Sequence, residues 1–252
     1  KNQNESKVLS EIYIWNFLKP WLKKSEAYIE RKAIYTFKSA ISRKWRKGRI
    51  FIAGDAAHLM PPFMGQGMCA GIRDASNLAW KIVKCLKQRH SEKILDSYQS
   101  ERFPNAKEYI ETTMRMGEFV NAIESTQITD NISSNRDGTK SMQSIKPNLG
   151  PGLGENQDNN RGVIFPQLKM KNGRAFDDKF SKNLLLIISP ELKNKSKLCK
   201  FPKIITSEVV GLSNLLKSYN SKAIIVRPDR FIFRSCNSVK NFSKFLKNLN
   251  NF

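Results

Sequence analysis

The sequence has 252 residues, 40% of them hydrophobic, and a formal net charge of +22 from 44 basic and 22 acidic side chains. That length suits one large core or two modest ones, and no apolar run approaches the length of a membrane span. The lysines are scattered, with no basic helix interleaved with aromatic side chains, which argues against a nucleic-acid partner and for a charged surface that attracts small anions.

In chain order, Lys1 to Ser10 is polar and lacks the apolar core of a signal peptide; the missing initiator Met fits a fragment or a processed chain. Val8, Ile12, Trp15 and Leu18 share one face of an expected helix that Pro20 interrupts. Ala33 to Phe37 reads as a strand whose Tyr35 and Phe37 either line a pocket or belong to a core. Arg49 to Ala53 reads as a buried strand ending at Gly54-Asp55, which puts a carboxylate at a sheet edge. Pro61-Pro62 stiffens the next turn, and Gly65 and Gly67, with Gln66 between them, allow a close backbone approach. A helix follows, with Met68, Ile72, Ala75, Ala79, Ile82 and Leu86 in one apolar stripe expected to face inward. Arg73, Asp74, Asn77, Lys81 and Lys84 lie off that stripe. Its first turn offers free amides to an anion or a polarised carbonyl.

Lys93 to Val120 has a helical pattern with Ser97, Tyr98, Glu101 and Arg102 clustered before Pro104. Glu101 and Arg102 read either as site residues or as an ion-pairing surface that ties helices together. Thr129 to Asn160 is rich in Ser, Asn, Asp and Gly and reads as a linker. Beyond it, Leu184–Ile188, Ile204–Val210, Ala223–Val226 and Phe231–Phe233 are expected strands, and Leu212–Tyr219 and Val239–Leu249 are expected helices. Arg227-Pro228-Asp229-Arg230 is an expected tight turn, with its arginines either solvated, paired with Asp229 or free to bind an anion. Cys69, Cys85, Cys199 and Cys236 form no C-x-x-C pair, so neither zinc nor another metal site is expected, and scattered thiols suit a cytoplasmic location.

The run Gly48 to Ile82, with GDAAH, PPFMGQGMCAG and RDASNLAWK, resembles the flavin-binding motif of the class A FAD-dependent aromatic hydroxylases (flavoprotein monooxygenases). It is closest to the branch acting on 3-(3-hydroxyphenyl)propionate and 3-hydroxycinnamate. Tyr98, Glu101, Arg102 and Pro104 match a further element of that family. FPQ at Phe165 to Gln167, Asp177-Asp178 and RPDRFIF resemble landmarks of its C-terminal domain. The resemblance implies an α/β fold: the C-terminal part of a Rossmann-like FAD-binding domain, then a thioredoxin-like α/β domain. Its implied boundaries are the end of a substrate-binding sheet over 1–47, FAD-binding domain over 48–128, linker over 129–160 and thioredoxin-like domain over 161–252.

The implied activity is hydroxylation of a small phenol such as 3-(3-hydroxyphenyl)propionate, with NADH or NADPH and O2, through a flavin hydroperoxide on FAD. The cofactor-binding residues carried over are Gly54, Asp55, Pro62, Gly65, Gln66, Gly67, Met68 and Cys69. Asp55 would accept from the ribityl chain, the Met68 and Cys69 amides would meet the flavin edge, and the Pro62 carbonyl would lie near the ring. No side chain is assigned as catalytic base; His58 and Asp74 are expected to brace the loop and the helix start. A homodimer fits the family, and no membrane span is expected. The family's opening G-x-G-x-x-G is not in this sequence, so the resemblance covers roughly its C-terminal half. The alternative expectation is a non-catalytic remnant or subunit that keeps the FAD-binding fold without turnover.

Overall fold

The computed structural model describes residues 4–88, 92–122, 133–134, 140–141, 145–154, 157–171, 173–176, 184–197, 199 and 202–247. Asp177-Asp178 and the end of the last expected helix, including Leu249, lie outside the described residues. The chain divides into two compact units, Lys1–Lys38 and Ser39–Phe252.

In the first unit the expected single helix is two, α1 (Glu5–Val8) and α2 (Glu11–Leu18). Ser10 causes the break: its backbone is extended and its Oγ accepts the Tyr13 amide at 3.3 Å, an N-cap that starts a new helix. Neither helix buries a residue. The strand expected over Ala33 to Phe37 does not form. No described segment of this unit pairs with its backbone, and Tyr35 and Phe37 are exposed, their rings stacked on each other at 6.5 Å.

The second unit opens with short antiparallel pairs. β1 (Ala40–Ile41) pairs with β4 (His58–Leu59), and β2 (Arg46–Lys47) pairs with β3 (Ile50–Phe51). The strand expected over Arg49 to Ala53 is therefore only two residues long, and Ile50 is 71% exposed. Trp45 is the buried anchor here, packed on the rings of His58, Tyr98 and Phe103. Two long helices follow, α3 (Gly67–Gln88) and α4 (Lys93–Ala122), which pack on one another. A further short pair joins β5 (Ser133–Ser134) to β6 (Lys140–Ser141).

The orientation of α3 is the reverse of the expected one. Met68, Ile72 and Leu86 of the apolar stripe are 76, 60 and 70% exposed, whereas Asp74, Asn77, Lys81 and Lys84 are buried beside Ala70, Leu78 and Trp80. The polar face turns inward because Asp74, Asn77 and Lys81 on it meet charged and hydrogen-bonding partners inside the fold, as described below. Burial of a charge is tolerable only on that condition.

In α4 the helix runs through Pro104 without ending. Proline cannot donate to the Ser100 carbonyl. Gly150 is pressed against that carbonyl, where a Cβ would sit 2.4 Å from the oxygen, and its amide donates to the neighbouring Glu101 carbonyl at 2.8 Å. Arg161 reinforces this crossing by donating to the Gly150 and Leu153 carbonyls.

The C-terminal sheet has the order β10 (Ile232–Cys236), β9 (Ala223–Val226), β7 (Leu185–Ile188), β8 (Lys203–Ile205). β7 is parallel to β8 and antiparallel to β9, and β9 is antiparallel to β10. Leu185, Ile187, Ile224 and Val226 pack on one face with α5 (Leu212–Ser218). Leu186, Ile188, Ala223 and Ile225 pack on the other with α6 (Phe242–Lys247). Burial on both faces explains why β7 and β9 are unbroken apolar runs. Leu153 packs against both this core and the Trp45–Tyr98 core.

Candidate functional site

The site begins where Ala53 leaves extended backbone. Gly54 adopts φ +58° and opens one 3-10 turn, Gly54–Ala56, with Asp55 exposed on it. A side chain at Gly54 would be strained by its left-handed backbone, and Gly71 of α3 comes close beneath it: a Cβ on Gly71 would lie 3.3 Å from the Gly54 Cα. The turn therefore sits directly on α3.

The second part is the 3-10 turn Pro62–Met64, closed by left-handed Gly65 at φ +61°, whose amide donates to the Pro62 carbonyl at 2.9 Å. Gln66 then begins the helix, its carbonyl accepting from Ala70 at 2.8 Å. The amides of Gly67, Met68 and Cys69 precede Ala70, the first intrahelical donor, so they form the positive end of a 22-residue helix. The structure thus brings Gly54 against α3 and sets Gly65, Gln66, Gly67, Met68 and Cys69 in one continuous helix entry. Asp55 and Pro62 stay at the surface.

Behind these turns lies a buried brace. Asp74 Oδ2 accepts the Gly54 amide at 3.0 Å and faces His58 Nε2 at 2.7 Å; its Oδ1 accepts from Arg102 Nε at 2.7 Å. Burial pushes the Asp74 carboxyl up, but hydrogen bonds from His58 and Arg102, with the Arg102 charge, outweigh it and hold the group below its ordinary value. Facing a carboxylate, His58 Nε2 is the donor, and its Nδ1 is buried with no hydrogen-bond partner among the described residues. His58 therefore braces the loop, with Asp74 as its partner rather than the adjacent Asp55.

A second cluster lies deeper. Arg227 grips Glu101 through two 2.8 Å contacts and Asp229 through contacts of 3.0 and 2.6 Å. Lys81 Nζ donates to Glu101 at 2.8 Å and to Asn77 at 2.7 Å, while the Asn77 amide donates to Glu101 and Asp229. The Trp80 ring covers the Arg227 guanidinium at 5.1 Å. Two positive and two negative charges balance out of contact with water. Burial pushes the Glu101 carboxyl up, but Arg227 and Lys81 hold it far below the carboxylate range; burial pulls the Lys81 ammonium down to about 8 despite Glu101.

Glu101 and Arg102 are thus neither surface ion pairs nor exposed site groups, and Arg227 is buried rather than solvated. The signal was present in the spacing of Asp74, Asn77 and Lys81, which puts three polar residues on one stripe of α3. No group of His, Cys, Asp and Glu among the described residues has the arrangement of a metal site. No described helix is long and apolar enough to cross a membrane.

The family described as "FAD binding domain" matches residues 21–113. A probable NADH-specific resorcinol 4-hydroxylase of Rhodococcus jostii is 31% identical over 91% of this chain and 48% of its own length. A 3-(3-hydroxy-phenyl)propionate/3-hydroxycinnamic acid hydroxylase of Mycobacterium avium is 43% identical over 36% of this chain and 16% of its own. The crystal structure of aklavinone-11 hydroxylase with FAD and aklavinone superposes with a TM-score of 0.56 at 19% identity, covering 84% of this chain and 45% of that one. The chain therefore spans about half the length of the Rhodococcus jostii relative.

Proposed function

Since this chain is a relative of the FAD-dependent aromatic hydroxylases, we propose that Gly54-Asp55 and the Pro62–Cys69 helix entry form the C-terminal part of an FAD site. The enzyme would hydroxylate a small phenol with a meta substituent, such as 3-(3-hydroxyphenyl)propionate, using NADH or NADPH and O2. The observation that carries this reading is the open start of α3, presented by left-handed Gly65 and held against Gly54.

The residues present suit the cofactor. Bound FAD would accept electrons from the nicotinamide and activate oxygen. Asp55 supplies an exposed carboxylate for ribityl hydroxyls. The Met68 and Cys69 amides supply preorganised donors for the negative charge that gathers at the flavin's pyrimidine edge on reduction, and need no reorganisation to do so. The Pro62 carbonyl, bound to Gly65 through one lone pair, keeps the other for the ring side. Asp74, His58 and Arg102 fix these groups in place.

The boundaries 1–47, 48–128, 129–160 and 161–252 are part of this reading. A thioredoxin-like C-terminal domain is supported by the strand order, with a parallel pair, β7 and β8, followed by the β9–β10 hairpin. Four free thiols agree with a cytoplasmic location.

Two titrations test the proposal by flavin fluorescence. The full chain alone is expected to bind FAD weakly or not at all. Supplied with the G-x-G-x-x-G half of such an enzyme, it is expected to bind FAD, and Asp55→Ala to weaken that binding roughly ten- to a hundredfold by removing a charged acceptor. An unchanged affinity in the variant would take Asp55 out of the site. A second reading is a subunit that binds flavin without turnover. Phenol-dependent NADH oxidation by the flavin-loaded assembly decides against it; flavin binding without oxidation decides for it.

A further inference from the structure

A cavity of about 210 Å³ lies beside the flavin-loop candidate, between the start of α3, the middle of α4 and the C-terminal sheet edge. Gln66, Arg73, Asn105, Tyr109, Lys146 and Phe231 are among the residues that line it. Two of its lining groups are cations, and no carboxylate lines it among the described residues.

Arg73 is held in place there. Its guanidinium lies over the Tyr109 ring at 5.0 Å, and its Nη2 donates to Gln66 Oε1 at 3.2 Å. Its Nη1 is buried and has no hydrogen-bond partner among the described residues. A cationic N–H shut away from water and left unbonded is costly. The Asn105 side chain, by contrast, is fully engaged by Arg102 and the Pro147 carbonyl. Arg73 and Lys146 thus give the cavity lining hydrogen-bond donors with positive charge. The opposite wall, from Phe231 and Ile164, is apolar.

We propose that this cavity is a binding site for a small oxyanion, a carboxylate or a phosphate, held by the Arg73 guanidinium and drawn in by Lys146. The site does not depend on the flavin reading, since it needs neither FAD nor turnover. Occupancy would bear on the helix entry through Gln66, which Arg73 holds directly.

Isothermal titration of the full chain with inorganic phosphate, and separately with benzoate, tests the proposal. One of the two is expected to saturate at a single site. Phosphate alone would identify a free inorganic anion; benzoate alone would identify an organic carboxylate whose ring uses the apolar wall. Arg73→Met is expected to weaken the binding at least about tenfold. Should that variant lose its fold by circular dichroism, Lys146→Glu decides instead, because Lys146 is exposed and its replacement puts a carboxylate at the cavity mouth. It too is expected to weaken binding at least about tenfold. Failure of both ligands to saturate, or saturation unchanged in the folded variant, would overturn the proposal.

Discussion

Lys81 is the residue whose chemistry departs furthest from its type. Its ammonium is buried, and burial lowers it from an ordinary 10.5 to about 8 although Glu101 is in contact. Below about pH 8 both folded and unfolded chains hold the proton, and burying the charge opposes folding in full. Between about 8 and 10.5 the unfolded chain still holds it while the folded chain has released it. Stability from this group therefore rises with pH across that window. Lys81→Met is expected to abolish the rise, seen as urea midpoints that no longer climb from pH 8 to 10 relative to the parent chain. Glu101 acts at the other extreme: its depressed carboxyl contributes stability that is fully present above the ordinary carboxylate range and is lost as the pH falls below that range. A reader of the sequence alone sees Glu101 and Lys81 twenty positions apart on different helices, with no local sign that they meet. Asp74 and His58 were legible as braces, because both stand within the loop-helix motif, but the partnership of one with the other was not.

At the scale of elements, periodicity located helices well and faced one of them wrongly. Helix α4 runs Lys93–Ala122 against an expectation of Lys93 to Val120, and β7 and β9 fall on the expected apolar runs. These runs are conspicuous because both faces of the sheet are covered. Helix α3 has two coherent stripes, one apolar and one charged, and periodicity alone says only that they differ. Which one is buried depends on Arg102, Glu101, Arg227 and Asp229, all supplied from elsewhere in the chain. The orientation is measurable. Leu78→Ala, in the Trp45 core, is expected to cost about 2–5 kcal/mol, whereas Ile72→Ser on the exposed stripe should stay within about 0.5 kcal/mol of the parent. Both are read from urea unfolding of the full chain. The expected strand at Ala33 failed for the opposite reason: β-rich composition is only a preference until a partner strand satisfies the backbone. The passage of α4 through Pro104 makes its own prediction. Gly150→Ala would drive a Cβ into the Ser100 carbonyl and the Pro104 ring, and backbone cannot swing away as a side chain can. A loss of about 1–3 kcal/mol is expected in the same assay.

For the whole molecule, the cluster around Glu101 is the joint between the α3–α4 pair and the C-terminal sheet. Arg227→Met would leave Glu101 and Asp229 facing Lys81 alone, and breaking a buried ion cluster in this way costs about 3–5 kcal/mol. The substitution lies in the β9–β10 turn, yet its effect should reach the far side of the joint. The unfolding transition followed by tryptophan fluorescence, to which Trp45 and Trp80 contribute from the α3–α4 side, is expected to shift to lower urea. A transition that moved only in circular dichroism would show that the two halves unfold separately. The fold class was legible because apolar runs and helix patterns are local, whereas this joint was not, since it is built from pairs far apart in sequence.

That same distance has a consequence in time. Glu101 waits for a partner 126 positions later, and Asn77 for one 152 positions later. At about 5–20 residues per second, a ribosome takes roughly 6–25 s to travel from Glu101 to Arg227. For that interval the nascent α3 and α4 hold a carboxylate and an ammonium without the arginine that completes them. The pair can reach its final packing only once the β9–β10 turn has cleared the exit tunnel. Folding of α3 and α4 is thereby scheduled by the β9–β10 turn, and a premature stop before Arg227 would leave them synthesised in full yet unable to close.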